Sequence, residues 1–251
     1  MKKIWISPSC FNCELYDQGG HITSKDEVKR AVDIWNHARS CLERDNPSEF
    51  DRSDSIGWLK RAMNQRLKLI EYIYSLKNFA LPTSPKGYLE YLATLNIVRP
   101  FMLKTLMAVR NDIEHNDATP PDIERCLELL DLVWYFIRST DELVKIQKCS
   151  IVFQESFNTE KESPYWLSID IKFDEPYLIN VYGWVESRKF SNEYKEGWFE
   201  VSVSDMGTKS NRWTDSENHS DKRDDDLWVR GELKPLPEQA LSIIAAAINA
   251  D

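Results

Sequence analysis

The period of the hydrophobic pattern changes near residue 148, and this change constrains the fold of the chain strongly. Before it, apolar residues recur every three or four positions, as they do on the buried face of an α-helix. After it, apolar and polar residues alternate, which is typical of half-buried β-strands. The 251-residue chain is therefore predicted to be an α+β protein of two domains, a helical bundle over 1–147 and a small antiparallel β-sheet domain with a C-terminal helix over 148–251.

Four long amphipathic helices joined by short connections are predicted in the first domain, and this arrangement favours a bundle. Ser24 and Glu27 form a capping box that begins the first helix. The second helix is expected to begin near Ser53, and the last one is expected to reach about Gln147. Residues 1–22 are expected to be irregular or to form a short strand, Ile4 to Ile6, followed by a loop with Gly19-Gly20.

The third helix is interrupted by a proline, and the helical piece after it carries the most informative residues of the chain. Ser84-Pro85 is a start signal, and Pro100 breaks or kinks the helix because its ring clashes with the preceding turn. The helical piece after Pro100 carries an arginine, Arg110, on the same stripe as Leu106 and Ile113. Burying an arginine there is costly unless an anion meets it or the side chain reaches a cleft.

Two polar residues accompany Arg110 at the end of this helical piece. Asn111 and His115 are four residues apart and share an adjoining face. The helix end therefore offers a fixed cation, an amide and a titratable imidazole, which are the groups expected around a phosphodiester. A structural alternative is that the arginine and the histidine satisfy carbonyls, carboxylates and the helix dipole at a helix end.

The spacing of Arg110, Asn111 and His115 resembles the motif of the HEPN family, in which a histidine follows an arginine and a polar residue. The resemblance covers about residues 20–147. It implies a helical bundle, a homodimer and a metal-independent ribonuclease of toxin or antiphage systems. Some members of the family are inactive, so the alternative function is a non-catalytic dimerisation or binding module.

The chemistry of RNA fits these residues without a metal or another cofactor. RNA carries its own nucleophile, the 2′-hydroxyl beside each phosphodiester. His115 is suited to proton transfer near neutral pH, Arg110 to stabilising charge on the phosphoryl oxygens, and Asn111 to orientation. Attack of the 2′-hydroxyl on the adjacent phosphorus needs both an acid and a base, so a second protomer is expected to supply a second histidine.

The net charge of −9 is unevenly distributed along the chain, and this restricts where RNA would bind. Residues 1–150 carry 21 basic and 21 acidic side chains, whereas 151–251 carry 11 and 20. Any contact with RNA must therefore be local. The predicted RNA-binding residues are Lys60, Arg61, Arg66 and Lys68, continued by Lys77 and opposed in that interval by Glu71. An antitoxin or regulatory protein is a possible partner.

The five cysteines do not form a disulfide framework, and they favour a reducing compartment such as the cytoplasm. Cys10 and Cys13 form a CxxC pair, with His21 eight residues later. Zinc usually needs four ligands, so the pair is interpreted as ordinary free thiols, with a zinc site as the alternative. No segment approaches the length of a membrane span, so no contact with a membrane is expected.

Two other clusters in the second domain have alternative interpretations. The acidic residues Asp221, Asp224, Asp225 and Asp226 are interpreted as a solvated loop rather than as a metal site. The second cluster consists of aromatic residues on the otherwise polar face of the predicted sheet, which are expected to dock against the bundle rather than to stack on bases. These residues are Trp166, Tyr182, Trp184 and Trp198.

Overall fold

The computed structural model describes residues 2–78, 87–116, 118–154, 165–174, 177–208 and 223–249, except for the side chains of Asp17, Pro100, Met102, Leu103, Glu114 and His115. The protein is α+β, with an antiparallel sheet and a C-terminal helix. The chain divides into two compact units. One contains Ile22–Leu76 and Ser84–Gln147, and the other contains Met1–His21 and Lys148–Asp251 with a short segment that begins at Lys77.

The helical unit contains six described helices. These are α1 (Lys25–Leu42), α2 (Glu49–Tyr74), α3 (Tyr88–Thr94), α4 (Pro100–Asn116), α5 (Ile123–Ser139) and α6 (Asp141–Lys145). Helices α1, α2 and α5 pack against one another, and α4 packs on α2 and α5. The core of this unit includes Trp35 of α1, whose indole Nε1 donates a 2.9 Å hydrogen bond to the Leu130 carbonyl of α5.

The ends of two helices differ from the sequence-based prediction. Helix α2 begins at Glu49 rather than near Ser53, because Ser48 and Asp51 form a capping box that satisfies the first backbone amides. Helix α5 ends at Ser139 rather than near Gln147, and α6 and then a strand follow it. The predicted start signal Ser84-Pro85 lies outside the described residues.

The short strand predicted at Ile4 to Ile6 is present, whereas the loop predicted at Gly19-Gly20 is part of a second strand, and the segment up to His21 belongs to the second unit. Strand β1 (Lys2–Ile6) pairs with β7 (Phe199–Thr208), so that Ile4 lies opposite Val201. Strand β2 (Glu14–Ile22) forms one edge of the sheet. Pairing with strands more than 120 residues away in sequence therefore determines the structure of this segment.

The other strands are β3 (Ile146–Gln154), β4 (Trp166–Lys172), β5 (Leu178–Val185), β6 (Phe190–Ser191) and β8 (Leu227–Lys234). Among the described residues, eight strands form one sheet in the order β2-β3-β4-β5-β8-β7-β1-β6. The pairs from β3 to β4, β4 to β5, β5 to β8 and β8 to β7 are all antiparallel. The predicted antiparallel sheet is therefore confirmed, and its strands are not all consecutive neighbours.

The predicted alternation along the strands is confirmed by their burial. Leu167, Ile169 and Ile171 of β4 are buried, and Val201 lies opposite Ile4 in the core. The C-terminal helix α7 (Pro237–Asn249) adds a buried apolar face of its own. Its buried residues are Ala240, Ile243, Ile244, Ala247 and Ile248.

Aromatic residues of neighbouring strands pack together on the other face of the sheet. Trp166, Trp184 and Trp228 lie directly opposite one another on β4, β5 and β8, and the ring of Trp228 lies 5.8 Å from that of Trp166 and 5.9 Å from that of Trp184. Tyr182 joins them edge-on to Trp166 at 5.9 Å. Trp198 lies apart from this cluster, with the Lys195 ammonium 4.2 Å from its ring centre.

The predicted solvated acidic loop needs one correction. Asp224 and Asp225 are exposed, but Asp226 is completely buried. One carboxylate oxygen of Asp226 accepts hydrogen bonds from the Tyr165 hydroxyl at 2.7 Å and the Arg223 amide at 2.7 Å. The other oxygen accepts from the Ser187 amide at 3.0 Å. Asp226 therefore joins three segments of the second unit. Asp221 lies outside the described residues.

We expect Asp226→Asn to lower the free energy of unfolding by about 1–3 kcal/mol, because one of its charge-assisted acceptors becomes an NH₂ donor that faces other donors. Urea denaturation followed by tryptophan fluorescence measures the change. Asp224→Asn is the matched control, since its carboxylate is exposed and its substitution should change stability by less than about 0.5 kcal/mol. Equal effects of the two substitutions would contradict a structural role for Asp226.

Within the described ranges, none of the helices combines the length and the apolarity required to cross a membrane.

Candidate functional site

Helix α4 carries the predicted catalytic motif near its C-terminal end. Arg110 is half-buried, and its Nη1 donates a 3.0 Å hydrogen bond to Oδ1 of Asn111. The backbone of His115 lies in the last turn of α4, about 7.5 Å further along the helix axis. Its imidazole lies outside the described part of the structure. After the helix, the Ala118 amide donates to the Asp112 carbonyl at 3.2 Å and closes the helix end.

A groove of about 530 Å³ brings Arg110 together with residues of α2. The described residues that line the groove are Ser53, Asp54, Ile56, Gly57, Trp58, Lys60, Arg61, Asn64, Arg110 and Ile113. Three of these side chains are cationic, against the single carboxylate of Asp54. The volume is in the range of small-ligand sites, and the excess of positive charge favours an anion as the occupant.

Lys60 and Arg110 lie close enough for their charges to interact. Burial lowers the pKa of the Lys60 ammonium, and the positive charge of Arg110 lowers it further. Two cations that share a groove repel each other, and an anion bound between them would reverse this effect.

Trp58 provides an aromatic surface in the same groove. The guanidinium carbon of Arg61 lies 4.2 Å from the centre of the Trp58 ring, a cation–π contact that orders the arginine. On α1, the exposed ring of His37 meets Trp58 edge-on, with ring centroids 4.4 Å apart. Sequence reasoning did not single out Trp58. The signal that was available is an aromatic residue two positions before the basic pair Lys60-Arg61.

The four predicted RNA-binding residues do not lie together. Lys60 and Arg61 line the groove with Arg110. Lys68 is exposed on the same face of α2, one turn beyond Asn64, and does not line the groove.

The prediction that Arg66 binds RNA is corrected, because Arg66 lies on the opposite face of α2 and is completely buried. Its Nη2 donates to Oδ1 of Asp141 at 2.9 Å, and its Nη1 donates to the Thr140 carbonyl at 3.2 Å. The second carboxylate oxygen of Asp141 accepts from Nη1 of Arg138 at 2.8 Å. A guanidinium enclosed in this way cannot contact RNA in this structure. It instead joins α2 to the junction of α5 and α6.

The CxxC pair lies in the sheet-containing unit, away from the predicted motif in sequence. Cys10 is buried and Cys13 is half-buried. Burial raises the pKa of the Cys10 thiol to about 12, which disfavours the thiolate that zinc requires. Across the described segments, no group of three or more His, Cys, Asp or Glu residues is placed to hold a metal ion.

Comparison of the chain with family models, with curated protein sequences and with solved structures finds no match.

Proposed function

We propose that the chain is a metal-independent RNA endonuclease in which Arg110, Asn111 and His115 act at the groove between α2 and α4. The observation that supports this proposal is the convergence of Arg110 with Lys60 and Arg61 in one groove, where Asp54 is the one carboxylate among the described lining residues. In the proposal, Arg110 binds the scissile phosphate, His115 transfers a proton and Asn111 orients Arg110 through its hydrogen bond.

The two kinds of cation in the groove suit different parts of an RNA strand. A guanidinium is planar and grips two phosphoryl oxygens at once, whereas an ammonium acts as a point charge. Arg110 therefore suits the phosphate that reacts, where charge builds up on the non-bridging oxygens. Lys60 suits a neighbouring phosphate, whose charge does not change during the reaction. Arg61, whose guanidinium lies over the Trp58 ring, adds positive charge to the same groove.

The proposed reaction transfers the phosphoryl group within the RNA strand. A general base removes the proton of the 2′-hydroxyl, and the bond from O2′ to phosphorus forms as the bond from phosphorus to O5′ breaks. A general acid gives a proton to the departing O5′. The products are a 2′,3′-cyclic phosphate and a 5′-hydroxyl. DNA lacks the nucleophile and is not cleaved.

The reaction needs two proton-transfer groups, and the motif contains one histidine per chain. The proposal therefore includes a homodimer in which each protomer contributes its His115. It places the enzyme in the cytoplasm as a toxin or antiphage nuclease, and it assigns the acidic sheet-containing unit to choosing the target or binding an antitoxin or regulatory protein.

The test is incubation of the purified chain with RNA in EDTA, followed by analysis of the product ends. We expect cleavage that leaves cyclic phosphates, together with resistance of an RNA whose single cleavage site carries a 2′-deoxyribose. An Arg110→Ala preparation made in parallel identifies any contaminating nuclease, because the activity of a contaminant would be the same in both preparations.

Two outcomes would overturn the proposal. A folded chain that dimerises but cleaves none of the RNAs tested would favour the alternative, a non-catalytic dimerisation or binding module. Cleavage that requires a divalent metal, or that leaves 5′-phosphate ends, would assign a different mechanism to the site.

A further inference from the structure

A second groove lies in the helical unit at the N-terminal half of α1, and its lining is largely apolar. Its volume is about 450 Å³. The described residues that line it are Ile22, Thr23, Lys25, Val28, Lys29, Val32, Arg138, Asp141, Lys145 and Ile146. Ile22 is 84% exposed and Ile146 is 37% exposed, although both are large apolar side chains. Exposed apolar side chains that lie together in a groove usually indicate a surface that binds a partner or ligand.

Hydrogen bonds tie together the segments that frame this groove, so its shape exists before a partner binds. The Thr23 amide donates to the Lys145 carbonyl at 3.0 Å and ties the chain before α1 to the end of α6. Below the groove, Arg66 joins α2 to Asp141, and its Nη2 also donates to the Val28 carbonyl at 3.4 Å. A preformed groove lowers the entropic cost of binding.

The charge around the apolar lining is positive. The lining contains four cations, Lys25, Lys29, Arg138 and Lys145, and one carboxylate, Asp141, which Arg66 and Arg138 already neutralise.

Two further carboxylates pair with these cations from outside the lining. Asp33 lies 3.7 Å from the Lys29 ammonium, and Glu142 lies 2.6 Å from that of Lys145. Both pairs are solvent-exposed, so each contributes at most about 1 kcal/mol and opens readily when a partner offers its own carboxylate. Counting these pairs, the groove still has more cations than carboxylates, in a chain whose net charge is −9.

The dimensions of the groove fit a helical segment of a partner. Lys25, Val28, Lys29 and Val32 follow one another along one face of α1, over about two turns or 10 Å. An amphipathic helix bound in such a groove inserts apolar residues spaced three or four positions apart. Acidic residues beside that stripe would then meet the cations at the rim.

We propose that this second groove binds an acidic amphipathic helix of a partner protein. The apolar side chains of the helix lie against Val28, Val32 and Ile146, and its carboxylates pair with Lys25, Lys29 and Lys145. The site is separate from the groove that contains Arg110, and it does not depend on the nuclease proposal.

The test uses fluorescent peptides of about 14 residues, or four helical turns, added to the full chain. A panel of acidic peptides carries Leu, Ile, Val or Phe on one face and Glu beside it, and matched basic peptides carry Lys in place of Glu. Fluorescence anisotropy should show binding of at least one acidic peptide in the micromolar range, weakened by salt, and binding of the basic peptides at least about tenfold weaker.

Variants of the chain locate the binding site. Lys29→Glu with Lys145→Glu, and separately Val32→Glu, should each weaken binding of the acidic peptide by at least about tenfold. The control is Lys68→Glu with Lys172→Glu, which makes the same charge change at exposed positions outside the groove and should leave the affinity within about twofold. Circular dichroism verifies that each variant is folded.

Three results would overturn the proposal. The first is equal affinity for acidic and basic peptides, which would indicate unspecific apolar contact. The second is the absence of binding by every acidic peptide of the panel. The third is saturable binding of sodium laurate without binding of the peptides, which would assign the groove to a small anionic amphiphile.

Discussion

Asp141→Asn should lower the free energy of unfolding of the helical unit by about 3–5 kcal/mol, the cost of removing one partner from a buried ion pair. Asp141 holds two arginines at once, Arg66 at 2.9 Å and Arg138 at 2.8 Å. Arg66 is completely buried, and its guanidinium stays charged when the carboxylate of Asp141 is removed, because arginine does not lose its proton in proteins. Urea denaturation followed by the helical circular dichroism signal measures the change.

The structure predicts that removing the other partner costs less. In Arg66→Met, Asp141 keeps its hydrogen bond to the exposed Arg138, and the methionine fills part of the volume with apolar atoms. We therefore expect Arg66→Met to be less destabilising than Asp141→Asn. Asp131→Asn, at an exposed position of α5, is the control and should be nearly neutral. If Arg66→Met were the more destabilising of the two, the buried arginine would not depend on Asp141 in the way described here.

Arg66 and Arg110 show how far the periodic pattern alone can be used. Arg66 follows Leu59 by seven residues and precedes Ile70 by four, so the helical period already places it on the buried stripe of α2. The same period places Arg110 on the stripe of Leu106 and Ile113, but Arg110 is half-buried at a groove. Arg66 is enclosed together with Asp141, which lies 75 residues away in sequence. Such a partner is not visible in the local pattern.

The folds of the two units were predictable to different extents. Local signals predicted the amphipathic helices and the alternating strands, because the buried face of a helix or strand consists of apolar residues at a regular spacing in the sequence. The pattern around Ile4 and Ile6 predicts a short strand, but the strand Glu14–Ile22 carries little such signal, because it is ordered by its neighbour β3, more than 120 residues later. The capping box of Ser48 and Asp51 was a readable local signal that the prediction overlooked.

The site was also only partly predictable from the sequence. The motif identified Arg110 and Asn111, and the basic run identified Lys60 and Arg61. That these two sets share one groove depends on the packing of α4 against α2, which no residue pattern contains. The place of Trp58 in this site likewise became apparent only from the structure, where Arg61 lies above its ring.

If the groove cleaves RNA as proposed, Arg110→Ala should lower kcat by about 10²–10³-fold, the usual effect of removing one donor that stabilises transition-state charge. Lys60→Ala should chiefly raise KM and make binding less sensitive to salt, because a contact to a phosphate that does not react binds ground state and transition state equally. His115→Ala should lower kcat by about 10²–10⁴-fold through the loss of proton transfer. Initial rates on a short RNA at several salt concentrations separate the three effects.

The matched control is Arg125→Ala, which removes a half-buried arginine, as Arg110 is, from α5 outside the groove and should leave kcat and KM within about twofold. His37→Ala tests the assignment of the proton-transfer group, since His37 contacts Trp58 at 4.4 Å. If His37→Ala abolished cleavage while His115→Ala left it intact, proton transfer would belong to α1 and the motif assignment would be wrong. If Arg110→Ala changed KM alone, the arginine would be a binding residue without a part in the chemistry.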